Sequence, residues 1–265
     1  MNSLAPPGIE LAWHGAVAIV RLNDPERLNP LSMPMLTELI AVLGEVAGSA
    51  RCMILTGAGR AFCSGASLVQ PQGDAEAFAE ADFGQVLEDH INPLMTRLRD
   101  FPIPWISSVR GAAAGVGCSL ALAADLVIAS DTGYFLQAFS RIGLVPDGGS
   151  THLLARSVGR VRAMEMMLLG DRVPAAQALE WGLINRVVAD DQLDREALEL
   201  AERLATGPTR TLALIRKLSW GAIDAAWHDA LAAERTSQNE AGRTADAAEG
   251  IAAFLAKRPP AFKGH

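Results

Sequence analysis

Along the first two thirds of the chain, short β-branched runs alternate with segments whose apolar positions recur at helical spacing, the pattern of strands alternating with amphipathic helices. Val17 to Leu22, in AVAIVRL, reads as a strand, and the NDPERLNP after it is a turn rich in Asn, Asp and Pro. Ser32 then caps a helix. Its apolar positions Met35, Leu36, Leu39, Ile40, Leu43 and Val46 share one face, and Gly48 ends it. CMILT, from Cys52 to Thr56, is a second buried strand, so the order strand, helix, strand implies a parallel pair with a right-handed crossover.

Pro71 to Ala81 is polar and alanine-rich without an apolar face, and a loop or frayed helix is expected there. A longer helix carries Val86, Leu87, Ile91, Leu94, Met95 and Leu98 and ends before Pro102. Ile106 to Val109 is a third strand, Cys118 to Ala123 a helix, and Leu126 to Ala129 and Tyr134 to Gln137 are two more strands. Leu153 to Leu169 reads as one or two helices broken near Gly159. Ala175 to Trp181 is a helix with Pro174 in its first turn, and Ile184 to Val188 is a last short strand. From Gln192 to Lys257 the spacing is helical, with breaks at Gly207-Pro208, Gly221 and Gly242. The division is an α/β core over residues 1–195 and a helical segment over 196–265. Helices unable to bury their apolar faces on one core bury them on neighbouring subunits, so an oligomer is expected.

Two stretches of small residues break this pattern, GAGRAFCSGASL from Gly57 to Leu68 and VRGAAAGVGCSLALAAD from Val109 to Asp125. Each follows a strand, and the second leads into a helix. Such turns leave main-chain amides uncovered at a helix start, where negative charge is favoured. Charge that develops only during a reaction makes the same feature an oxyanion hole.

Composition narrows the field further. Half of the 265 residues are hydrophobic, enough for a large core. A net charge of −7 and a pI near 5.3 argue against nucleic acid or an anionic membrane as partner. The three cysteines, Cys52, Cys63 and Cys118, form no CxxC pair and read as buried small hydrophobes. The five histidines are scattered without ligand spacing, so no metal site is expected. MNSLAPPGIELAW lacks the basic start and apolar core of a secretory signal, and no run is long and apolar enough to span a membrane. The expectation is a soluble, cytoplasmic protein.

Both small-residue loops, with NDPERLN, RIGLVPDGGS and FLAKRPPAFKGH in the same order and spacing, resemble the crotonase (enoyl-CoA hydratase/isomerase) superfamily. The resemblance implies an α/β, crotonase-like spiral of ββα units with a C-terminal helical trimerisation segment. It also implies a homotrimer or homohexamer acting on an acyl-CoA thioester, with no prosthetic group. By position, the amides of Ala66 and Val116 would hold the thioester oxygen. Leu28 and Ser64 would lie along the nucleotide and pantetheine path. Phe254 and Lys257 would meet the adenine and 3′-phosphate end, commonly across a subunit boundary.

The acids discriminate between reactions. A resembling hydratase carries one glutamate just after the second loop and another further on, where this chain has Ser119 and Phe139. Neither is a carboxylate. Asp147, in GLVPDGGS, stands where resembling enoyl-CoA isomerases and ring-epoxide phenylacetyl-CoA isomerases place their acid-base group. One carboxylate suffices for a double-bond shift: it takes a proton from the α-carbon, then returns it to the γ-carbon. The apolar neighbours Phe139, Leu144 and Val145 are expected to raise its proton affinity. By position alone, Asp147 equally suits a cap for the helix after it. Two other readings stand beside the isomerase: an enoyl-CoA hydratase using a single carboxylate, and an acyl-CoA binder without turnover.

Overall fold

The computed structural model describes residues 7–67 and 82–265; the loop or frayed helix expected at Pro71 to Ala81 lies outside them. Val17–Asn23 (β2) and Cys52–Gly57 (β3) form the expected parallel pair. Between them runs α1 (Met33–Ser49), whose Met35 amide donates to Ser32 Oγ at 3.4 Å. A strand that the pattern did not announce comes first: β1 (Gly8–His14), antiparallel to β2. It is an edge strand with no fully buried residue, so it lacks the in-and-out alternation that marks a strand.

Phe83–Val86, Leu87–Ile91 and Asn92–Arg99 continue as one helix, α2, π-wound in its middle. Pro93, which has no N–H to return to the preceding turn, follows the widened part. The chain then leaves a strand of one sheet, kinks, enters a strand of another and turns into a helix. Trp105–Val109 (β4), Ala112–Ala114 (β5) and Val116–Leu122 (α3) form one such unit. Leu126–Ser130 (β6) and Tyr134–Leu136 (β7) repeat it, followed by Ser150–Ser157 (α4) and Gly159–Leu169 (α5), two helices parted at Gly159. Val173–Pro174 (β8), Ala175–Glu180 (α6) and Arg186–Val188 (β9) close the series. Pro174 precedes α6 as its cap instead of entering its first turn.

The strands make a six-stranded sheet ordered β1-β2-β3-β4-β6-β9 and a three-stranded sheet ordered β5-β7-β8. From β2 onward the larger sheet is parallel, which requires the intervening helices. Its alternating side chains feed two apolar layers. Ala18, Val20, Met53, Leu55 and Trp105 join the layer that holds Leu36, Leu39 and Leu43 of α1 and Leu94 and Leu98 of α2. Val17, Cys52, Ile54, Ile106 and Ile128 pack on Leu193, Ala197, Leu200 and Ala201 of α7 (Leu193–Ala205).

The remaining chain is helical: α8 (Thr209–Ala222), α9 (Trp227–Ala241) and α10 (Ala245–Leu255). Arg216 of α8, buried, pairs with Asp125 at 2.6 Å and donates to Leu98 O at 3.1 Å, fastening the helical segment to the core. Asp246 of α10 receives the amides of Lys263 and Gly264 at 2.6 and 2.7 Å, which folds the last residues back onto that helix.

One buried side chain ties the first turn to the first small-residue loop. Asn29 is fully buried with φ of 55°. Its Nδ2 donates to Ala61 O at 2.7 Å and Ala58 O at 2.9 Å, and its Oδ1 accepts from Asp24 N at 2.8 Å. Asn29→Ala strands these groups away from water and places a Cβ-bearing residue that cannot bond locally at a positive φ. The expected loss is about 1–3 kcal/mol of unfolding free energy, read from urea denaturation midpoints.

Candidate active site

Beyond Gly57 the chain returns so that Cys63 lies beside β5. Cys63 N donates to Ala112 O, and Ala114 N donates to Cys63 O, both at 2.9 Å. The approach is close enough to require glycine on both sides. A Cβ on Gly111 would stand 2.1 Å from Arg60 O, and one on Gly117 would stand 2.7 Å from both Cβ and Sγ of Cys63. Alanine runs rarely form strands by preference; β5 is one because Cys63 and Phe135 flank it with main-chain partners. Reading Gly111 onward as a turn alone therefore missed this strand.

Ala66 follows Gly65, and Val116 follows Gly115, the cap of α3. A Cβ on Gly115 would lie 3.8 Å from Gly65 Cα, so the two residues after these glycines are neighbours. Leu31 N donates to Gly65 O and Ser67 N to Leu31 O, at 2.8 and 3.0 Å. In such a parallel bridge Ala66 turns its own N–H away from Leu31. Val116 is the first residue of α3, and Gly115 supplies no side-chain cap. Among the described residues neither amide meets an acceptor. The sequence-expected pair is thus brought together with both donors open.

Asp147 approaches from the other side. After a 3-10 turn at Ala138–Ile142, residues 143–146 lead into Asp147-Gly148-Gly149, with φ of 59° and 79° at the two glycines. A Cβ on Gly148 would lie 3.1 Å from Val116 Cγ2, which places this turn against the start of α3. The helix-cap alternative fails: Gly149 occupies the cap of α4 and no side chain caps it. Asp147 Oδ1 is instead buried with no hydrogen-bond partner among the described residues. Burial without compensation pushes its pKa up from 3.8 to about 6. Phe139 is buried, its ring 3.6 Å from where a Gly115 Cβ would stand. Val145, expected beside it as an apolar screen, is 79% exposed, so little of that burial is its doing.

Ser64 joins Leu28 directly: its N donates to Leu28 O at 2.9 Å and its Oγ to Arg27 O at 3.3 Å. Leu28 takes a left-handed conformation, φ 66°, at the end of the short 3-10 turn Pro25–Arg27. Phe254, 82% exposed, and Lys257, at φ of 52°, lie at the end of α10. No hydrogen bond or ion pair among the described residues joins either to the two loops. Cys63, at the seam, and Cys118, in α3, are fully buried, and burial pushes both thiols up to about 12. No group of His, Cys, Asp and Glu among the described residues is arranged to hold a metal ion, and no helix among them is long and apolar enough to cross a membrane.

Sequence reading missed the surroundings of the acid. Ser119 and Ser150 both reach the Asp147 main-chain oxygen, and Ser150 reaches Gln137 Oε1 at 3.3 Å. No spacing rule signals this, because α3, α4 and the segment after β7 meet only in three dimensions.

The sequence profile described as enoyl-CoA hydratase/isomerase matches residues 13–265. The 1,2-epoxyphenylacetyl-CoA isomerase of Escherichia coli K12 is 46% identical over 254 residues, 94% of this chain and 95% of that one. A Rhodobacter capsulatus protein named "Probable enoyl-CoA hydratase" is 42% identical over 248 residues, again covering 94% and 95%. Among solved structures, an enoyl-CoA hydratase from a Polaromonas species superposes with a TM-score of 0.89 at 34% identity, covering 97% of this chain and all (100%) of the other.

The raised pKa of Asp147 has a signature in stability. Below 3.8 the carboxyl is protonated in both folded and unfolded chains and contributes no difference. As pH rises toward about 6 the unfolded chain ionises first, so the wild type loses stability across that window, and the loss is complete above it. Asp147→Asn carries no such penalty. Its stability relative to wild type is expected to increase between pH 4 and about pH 6 and to stay level above, measured by urea denaturation as a function of pH.

Proposed function

The chain belongs to the enoyl-CoA hydratase/isomerase family and has the crotonase fold, and from that premise we propose that it is an acyl-CoA isomerase with Asp147 as its single acid-base group. The observation that carries this reading is a half-buried carboxylate whose Oδ1 is buried and unpartnered, on a turn that packs against the start of α3, while the positions of the hydratase glutamates hold Ser119 and Phe139. The 46% identity to an isomerase of an epoxyphenylacetyl-CoA supports an aromatic-ring-derived CoA ester as one substrate class; an unsaturated fatty acyl-CoA is the other.

For a 3-enoyl thioester, the Ala66 and Val116 amides hold the carbonyl oxygen. The Asp147 carboxylate removes an α-proton, and the electron pair moves into the carbonyl to give a thioester dienolate. Both amides meet the negative oxygen at that moment. Such donors are each worth about 2.7–4 kcal/mol when removed from other enzymes. The Asp147 carboxyl then delivers its proton to the γ-carbon, the double bond shifts into conjugation, and the carboxylate is regenerated. The Cβ of Val116 narrows the space around the oxygen without affecting its amide. A pKa near 6 keeps the group mostly ionised at neutral pH while leaving it basic enough for carbon acids.

Leu28 and Ser64 complete the reading along the pantetheine path, and Phe254 and Lys257 at the nucleotide end. An aromatic face suits adenine and an ammonium suits the 3′-phosphate. Large apolar side chains left open on the helices, Trp227 at 72%, Ile251 at 65% and Leu255 at 75%, support 196–265 as an assembly segment of a homotrimer or homohexamer. Sedimentation equilibrium is expected to give the mass of three or six chains; a monomer would remove that part of the reading.

Turnover of a 3-enoyl-CoA is expected to fall about 10²–10⁴-fold in Asp147→Asn, and the wild-type rate to rise with pH up to about 6 and level off above it. An undiminished rate in the variant removes Asp147 from the mechanism. Loss of the ultraviolet absorbance of crotonyl-CoA should run far slower than isomerisation; comparable rates favour hydration. Acyl-CoA binding without α-carbon exchange in deuterated water identifies a binder.

A further inference from the structure

Asp147 is gripped by its own main-chain oxygen. Ser119 of α3 and Ser150 of α4, 0% and 1% exposed, place their hydroxyls 3.0 and 2.8 Å from that oxygen and 2.5 Å from each other. If both donated to the carbonyl, two oxygens with no proton between them would face each other. The consistent pattern has one hydroxyl donating to the carbonyl and the other donating to the first. Either serine can take either part. Ser119 also meets the turn by contact, since a Cβ on Gly148 would lie 2.9 Å from Ser119 Cβ.

Resting on the isomerase reading above, we propose that Ser119 and Ser150 are positioning residues, their paired hydroxyls fixing the Asp147 turn against the helix that begins with the Val116 amide. Neither acts on substrate. They set the distance between the carboxylate and the oxygen site, the geometry on which proton transfer depends. The same approach bars a side chain at 148, where a Cβ would stand 2.9 Å from Ser119 Cβ.

The test measures 3-enoyl-CoA turnover against pH for wild type, Ser119→Ala, Ser150→Ala, the double variant and Asp147→Asn, with thermal melts reporting the folded fraction. Each single variant keeps one donor to the carbonyl, and kcat is expected to fall by about threefold or less. The double variant is expected to lose about 10–100-fold in kcat, more than the product of the singles, with KM within about twofold. Its acid limb should also move down from near 6 as the freed turn admits water. A lowered melting temperature with kcat per folded molecule and the acid limb unchanged marks a structural pair and overturns the proposal. Should the double variant not fold, Ser119→Ala decides through a smaller downward move of the acid limb, whose absence overturns it equally. Inactive Asp147→Asn beside a fully active double variant overturns this proposal alone. Undiminished turnover by Asp147→Asn overturns the isomerase reading and this proposal with it.

Discussion

The close approach of two main-chain segments, Cys63 against Ala112–Ala114, is the constraint on which the rest of the site depends. Each hydrogen bond across this seam contributes only about 1 kcal/mol. Their geometric effect is larger. The backbones can meet at this distance only where side chains are missing, which fixes Gly111 and Gly117. Once they meet, the chain after Gly65 and the chain after Gly115 emerge side by side. Among the described residues neither amide after these glycines meets an acceptor: Ala66 turns its N–H away from Leu31, and Val116 is the first residue of α3. A pair of open main-chain donors arises here from joining two sheets at small residues, without a dedicated side chain.

Three carboxylates at or below the surface show how differently burial is handled nearby. Asp125 is pushed up by desolvation, and Arg216 opposes that push from 2.6 Å while Trp105 N adds a donor. Asp246 receives two main-chain amides. Asp147 has desolvation alone among the causes acting on it, and one of its oxygens has no partner. Structural carboxylates in this chain are compensated, whereas the candidate acid is not. That contrast separates it from its neighbours more clearly than its position in the sequence does.

Much of this fold was legible before any coordinates. α1, the parallel pair β2 and β3, and α7 follow from apolar periodicity, because each buries one face on a continuous layer. β1 and β5 were not legible. One lies at an edge with half-exposed side chains, and the other is three alanines that become a strand only through partners distant in sequence. The amide pair at Ala66 and Val116 was placed by resemblance, and the structure makes the two residues neighbours. For Asp147 the sequence left cap and acid equally open. The geometry of Gly149 removes the cap. The serines around it carry no periodic or spacing signal, since their contacts cross between α3 and α4.

The burial of Cys63 in the seam and of Cys118 in α3 has a chemical consequence under the proposed function. An α,β-unsaturated thioester alkylates sulfur by conjugate addition, and the reactive form is the thiolate. With burial pushing both thiols up to about 12, they stay protonated near neutral pH. Packing that holds Cys63 against Gly117 therefore also shields that sulfur from an electrophile of this class. Sulfur fills the seam as a small soft atom and is kept in the form that a conjugated olefin does not capture.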